Sequence, residues 1–420
     1  MTFLRHQNPS RPMIRHQVYF DTLGTLREDS ASWRSVFAGL SLLRLVDAYA
    51  DNSASIDPAN WAQLHSVRAA IGDMSAGDPV RGVLTTVLEE TTARGTIDEV
   101  VCRSLLAYGR ALDYEASWGL AADVFQTVAK IARPEKNARL AVEANIAVGG
   151  AARRNGDWET SARAYSQASY VADTIGYCQG VLTVQVGIAN TYMSKGNLPQ
   201  AQTILDDVIS QASDMHLEDV QAIALHSRAA LAQRRGEYNE GVRLHHAALK
   251  LTKNAVDRDK VIADIAAAFE EVGMRDASRD ANLLLVATTQ TKWVRWQATI
   301  NLMELAARDH MEQAFDEYAK ELRREPMGPW LKSHFLLFLG EGLESFGRYE
   351  AAEQALSEAK DFADENQIFA ISFKADEVLA AVRSKSRRQL VPPAFPDVSH
   401  DVLAAAHDIS ELRKAAVATS

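Results

Sequence analysis

The sequence predicts an all-α protein, a solenoid of about eight helix-turn-helix units with a capping helix at each end. Three observations carry this. Alanine, the best helix former, makes up roughly one in six of the 420 residues, while only 11 are proline. Four segments share one pattern: NGDWETSARAYSQA (155–168), KGNLPQAQTILDDV (195–208), RGEYNEGVRLHHAA (235–248) and FGRYEAAEQALSEA (346–359). Extended through intermediate matches, the turn position of that pattern falls at 77, 116, 156, 196, 236, 273, 310 and 347, in steps of 37 to 40 residues. A period of this kind means stacked helical hairpins, none of which can bury its apolar face alone.

The elements follow in chain order. Residues 1–59 read as an arm carrying Arg5, Arg11 and Arg15, then an amphipathic helix over 32–50 that caps the stack. Residues 60–366 form the solenoid. Asp78 and Pro79 supply an N-cap and a first-turn proline for the helix after them. Seven residues before each turn stand Ala70, Gly109, Gly149, Ala189, Ala229, Ala266, Met303 and Gly340, and five after it stand Gly82, Ala121, Ser161, Ala201, Gly241, Ser278, Phe315 and Ala352. Small side chains at matched depth let two antiparallel helices approach closely. Met303 and Phe315 break both columns, so the 310 unit is expected to pack more loosely, with a shifted turn. Trp118, Trp158, Leu198, Tyr238 and Tyr349 start each second helix as apolar plugs, and Phe125, Tyr165, Leu205 and Leu356 fill space between units. Pro134 and the Pro326–Gly328–Pro329 group fall between units, where a break costs little. Residues 367–384 cap the far end. Residues 385–420 read as a proline-rich linker and a tail helix over 400–416, with Leu403, Ile409 and Leu412 as its apolar stripe. That helix either docks in the groove of its own or a neighbouring chain, a route to self-association, or lies on the surface with no fixed dock.

The pattern of a small residue, six positions, glycine, an acidic residue and an aromatic, then a second small residue, resembles the tetratricopeptide repeat over roughly residues 60–365. The period is longer than the usual 34 residues and is similar to that of the long-helix variants in kinesin light chains, spindle-orientation adaptors and bacterial signal-peptide receptors. The resemblance implies a right-handed superhelix whose first helices line a concave, partner-binding face. Carried over to this sequence, the groove positions include Arg110, Arg153, Asn190, Gln233, Glu270, Glu304, Glu341 and Glu344, with Arg103, Arg154 and Arg234 in reach. Asn190 matches the position at which long-helix members hydrogen-bond a peptide backbone. Arginines dominate the first half of this face and glutamates the second, which favours an extended partner of opposite polarity. The lysine and asparagine set of a chaperone-type carboxylate clamp is absent.

Chemistry is not indicated. The sequence contains no phosphate-binding glycine loop, dinucleotide fingerprint, HExxH or GxSxG. Cys102 and Cys178 stand apart without metal-ligand spacing, and the adjacent His245 and His246 point about 100° apart on a helix. No catalytic residue, metal or cofactor is expected. A net charge of −10 argues against a nucleic-acid partner, and no apolar run is long enough for a membrane span, so a reduced, cytoplasmic setting is expected. Two functions follow as expectations. One is a non-enzymatic adaptor binding a peptide or extended protein segment in the groove. The other is a ligand-sensing regulatory subunit whose curvature controls a separate effector, with its hinge in the 310 unit.

Overall fold

The computed structural model describes residues 14–51, 58–384, 395 and 397–418. Among them lie twenty helices and no strand, and no helix is long and apolar enough to cross a membrane. The chain enters through α1 (Gln17–Leu23), α2 (Ala31–Asp51), α3 (Pro58–Gly72) and α4 (Arg81–Arg94). Seven hairpins follow: α5 (Glu99–Tyr114) with α6 (Trp118–Ala132), α7 (Pro134–Arg154) with α8 (Trp158–Thr174), α9 (Cys178–Ser194) with α10 (Leu198–Asp214), and α11 (Glu218–Arg234) with α12 (Tyr238–Leu251). The series continues with α13 (Ala255–Glu271) and α14 (Arg275–Thr288), α15 (Lys292–Arg308) and α16 (Glu312–Leu322), and α17 (Pro329–Ser345) and α18 (Tyr349–Glu365). The end elements are α19 (Phe369–Arg383) and α20 (His400–Ala418).

One turn geometry repeats throughout. Ala116, Gly156, Gly196, Gly236, Gly273, His310 and Gly347 all adopt positive φ, between 55° and 81°. In each case the next N–H bonds back to the helix, as Asp157 does to the Ala152 carbonyl at 2.9 Å and Met311 to Ala306 at 2.8 Å. This is the glycine-favouring helix stop in which a left-handed residue lets the chain satisfy the last carbonyls. The turns between hairpins reuse it at Gly176, His216 and Gln367, a second series the sequence reading did not isolate. Four consecutive helices, α8 to α11, are 17 residues each. The later second helices α12 and α14 are 14 residues, which accounts for the shortening of the step from 40 to 37.

The small-residue column works against the residue nine after the turn. A β-carbon on Gly109 would lie 2.3 Å from the Phe125 ring, on Gly149 2.6 Å from Tyr165, and on Gly340 2.5 Å from Leu356. Tyr165 also presses on Gly187 of the next hairpin, at 2.4 Å by the same measure. It therefore interlocks two units.

Three expectations are corrected. The 310 unit is not loosened or shifted: His310 takes the common turn and Met303 and Phe315 are fully buried, because Gly342 on α17 makes room for the Phe315 ring. Gly77 does not make a hairpin turn of this kind. It lacks positive φ, α3 packs mainly on α2, and Gly77 abuts Pro326 from the far end of the chain. Of the apolar starters, Trp158 and Tyr349 are lids rather than plugs, exposed at 37% and 41%, whereas Leu198 and Tyr238 pack against the core as expected.

First helices of successive hairpins touch one another, α5 with α7, α7 with α9, α9 with α11 and α15 with α17, so they line the inside of the curve. The curve closes. Arg27 pairs with Glu365 at 3.2 Å, Ser32 meets Asn366 at 2.5 Å, and the Gln367 amide donates to the Thr25 carbonyl at 2.7 Å. Across the interior, Tyr114 lies against Trp293 with ring centroids 5.3 Å apart.

The tail helix is fixed, and not in the groove. α20 packs on α12 and α14, both second helices and hence on the outer face. Val402, Ala405 and Ile409 are fully buried there, while Leu403, expected in the stripe, is half-exposed. Asp408 meets His246 at 2.9 Å and Lys250 at 3.5 Å, and Asn239 brackets the approach by bonding Asp397 and Ser399. Arg5 and Arg11 of the basic arm and residues 385–394 of the linker lie outside the described residues. Arg15 folds back onto Asp47 and Asp51.

Candidate functional site

The inner face carries most of the residues assigned to it, but the stack itself uses many of them. Arg154, at the end of α7, grips Asp113 on α5 through two hydrogen bonds of 2.9 and 2.7 Å. Arg153 reaches the Ser194 hydroxyl at 2.9 Å and Arg234 reaches the Met193 carbonyl at 3.1 Å. Two guanidinium groups thus close on the C-terminal turn of α9 from either side, where exposed carbonyls attract cations. Arg153 is half-buried, and its buried Nε has no acceptor among the described residues. Burial first, then the charges of Arg154 and Arg234, pull it below the usual arginine range. Asn190 donates to Ser227 at 3.2 Å, tying α9 to α11.

The acidic half behaves likewise. Arg308 binds Glu270 at 2.7 Å and Glu304 at 2.5 Å, bridging α13 and α15. Burial pushes the Glu304 carboxyl up to about 7, with Glu270 and Glu341 adding to the rise and Arg308 opposing it. Glu341 and Glu344 stand half-buried on α17. Arg103 is held by Glu99 at 2.6 Å and Glu143 at 3.6 Å. The expected polarity persists in the residue types, yet each half is partly neutralised in place.

Two placements differ from expectation. Gln233 turns into its own hairpin, bonding His245 at 3.3 Å and packing on Gly241, so it does not face the groove. Arg110 is exposed with no carboxylate partner among the described residues, and its charge acts on Lys260 of α13. The histidines separate in role. His245 is buried and pulled down to about 3 by burial and then by His226, which pairs with Asp264 at 2.5 Å, whereas His246 holds the tail.

Sequence reasoning missed a buried ionic knot at the entry. His16 sits between Asp123 at 2.5 Å and Asp47 at 3.2 Å, beneath a Tyr19–Tyr108 hydroxyl pair at 3.0 Å. It also missed Glu115, whose two buried carboxyl oxygens make no side-chain hydrogen bond among the described residues and are approached only loosely by the Trp330 backbone N–H. Neither lies in a repeat column, so periodicity gave no signal for them.

These features define the class: a helical-repeat solenoid with a charged inner face and a closed outline. No family model matches the sequence, and no curated protein matches it either. Among solved structures, NprR in complex with its cognate peptide NprX is similar at 12% identity and a TM-score of 0.42, covering 79% of this chain and 89% of its own. The Rap conjugation gene regulator of plasmid pLS20 with the Phr* peptide is similar at 9% and 0.42, covering 85% and 99%. TPR-like repeats of a kinesin light chain from Podosopora anserina give 15% and 0.32, covering 55% and 97%.

Proposed function

We propose that the protein is a non-enzymatic interaction module of a reducing interior compartment, whose inner face binds an extended segment of another protein or a peptide. One observation carries the reading. Arg153 and Arg234 converge on the end of α9, Arg154 beside Arg153 is bonded to Asp113 of α5, and Arg110 adds a further cation on the same face with no carboxylate partner among the described residues. Surplus guanidinium groups on a concave surface suit carboxylates, which they grip with two parallel bonds. Asn190 and the glutamates of the second half then contact the rest of the segment. The contribution of a single anchor is about 1–3 kcal/mol, so affinity is the work of several units together.

The variant that tests this leaves Arg153 alone, because reversing a buried guanidinium would damage the stack. Wild type and the Arg110→Glu, Arg154→Gln double variant serve as bait in the native lysate. A protein held by the first and lost by the second, with unchanged helicity, is the expected result. If both retain the same proteins, the inner face is not the site.

A second reading has its own observation. The ends meet through a few polar contacts at Arg27, Ser32 and Gln367, so a ligand that strengthened or broke them would change curvature and signal to a separate effector. Its hinge is that junction rather than the well-packed 310 unit.

A further inference from the structure

Where the two ends meet they form a half-open cavity of about 880 Å3. Its apolar wall includes Leu26, Val36, Met327, Trp330, Phe362 and Ile368, drawn from both ends of the chain. That is the size and lining of a small-molecule site. Two carboxyls converge on it from the first half. Asp78, in the turn before α4, accepts the Val80 N–H at 2.9 Å. Glu115, just past α5, is pressed against Gly328, where a β-carbon would lie 2.4 Å from Oε2.

The groups around this pair offset it only in part: at Asp78 burial outweighs the Val80 and Arg81 N–H groups, the Ser35 hydroxyl and the Arg81 charge, which lower it. Arg27 is engaged by Asp29 and Glu365, Arg81 by the Met74 carbonyl, and the Lys332 ammonium sits 4.5 Å above the Phe362 ring. The Trp330 backbone N–H at the start of α17 donates loosely to Glu115 and opposes the rise caused by burial. Burial, and then the charge of Asp78, push Glu115 up to about 7, and burial raises Asp78 as well. Two neighbouring buried carboxyls without a bound cation are costly even where backbone donors reach them, and a cation placed between them would lower that cost.

We propose that this cavity binds a small organic cation, a primary amine on an aromatic or branched apolar body, with Glu115 and Asp78 receiving the ammonium and Trp330 and Phe362 holding the body. Glu115 lines the cavity, and a turn of its side chain away from Gly328 brings the carboxylate to the ligand. Because the wall comes from both ends, occupancy ties them together. That consequence rests on the second reading above; the binding itself does not.

The test is calorimetric titration of the full chain with 2-phenylethylamine, 2-phenylethanol and phenylacetate. The amine is expected to bind at least about tenfold more tightly than the neutral and anionic analogues. Its binding should weaken as pH falls from about 8 to 6, since Glu115 takes up a proton in that range. Glu115→Gln should cut amine affinity about tenfold and remove that pH dependence, while relieving a buried charge, so its melting point should not fall. Asp78→Asn provides a second variant with the same expected loss. Equal affinity for the three probes, wild-type amine affinity in both variants, or no heat from any probe at about 10 mM would each overturn the proposal. Scattering of the amine-bound chain separates the two ideas: binding with an unchanged radius keeps the site and removes the curvature switch.

Discussion

His16 shows how much one side chain can hold. Burial alone would favour its neutral form, but Asp123 and Asp47 outweigh this and raise it from 6.5 to about 9. A histidine raised on folding gives stability that is complete below the unfolded value and lost as pH rises through the folded one. From those two values the contribution is roughly 3 kcal/mol, fully present below about pH 6.5 and gone above about pH 9. His16→Gln should therefore lower the melting point at pH 6 far more than at pH 9.5. Equal losses at both, measured by thermal denaturation, would mean that the imidazolium is not what the two aspartates hold. Tyr165 makes the matching case in packing: a methyl group on Gly149 or Gly187 would meet its ring, so both glycines are fixed by shape rather than by turn geometry.

At the scale of elements, α20 is the piece whose attachment is most easily undone. Its apolar contact centres on Val402, Ala405 and Ile409, with Ala406, Leu412 and Ala416 partly buried beside them, and its ion pairs are those of Asp408, 46% exposed, with His246 and Lys250, and of Arg413 with Asp280. Exposed pairs contribute little, so the buried stripe dominates. Ile409→Asp should release the helix, seen as loss of hydrogen-exchange protection over 400–418 while α13 to α18 stay protected. Protection unchanged in the variant would show that the polar contacts suffice. The dock exists where α12 and α14 are three residues shorter than the second helices of the 40-residue hairpins.

For the whole molecule, closure of the ends is the property with most consequence. A paired substitution, Ser32→Cys with Asn366→Cys, places thiols where hydroxyl and amide now meet at 2.5 Å. Cys178 is exposed and would be changed to serine, whereas Cys102 is buried, with its thiol pushed up to about 12, and stays unreactive. A short bis-maleimide should link the pair within one chain without altering the radius of the molecule. Failure to link in a folded protein would show that the outline is open in solution. Closure also bears on the inner face, because contacts such as Tyr114 with Trp293 narrow the path a partner segment must take.

The sequence by itself determined the helices, their turns and their order. Each turn is a local event: a residue able to adopt positive φ, a small residue seven before it and a large one nine after it act within a single hairpin, so they leave a period that can be read. It also placed Arg110, Arg153, Arg154, Arg234, Glu270 and Glu304 on the inner helices. What those side chains bond to was decided by tertiary structure alone. Gln233 turned inward because His245 and Gly241 lie beside it, and Arg308, which no offset singled out, collected Glu270 and Glu304. The same holds for the tail on the outer face and for Glu115 facing Gly328 from more than two hundred residues away. Such contacts depend on accumulated curvature, the sum of small rotations at every hairpin, and that sum is written in no single repeat.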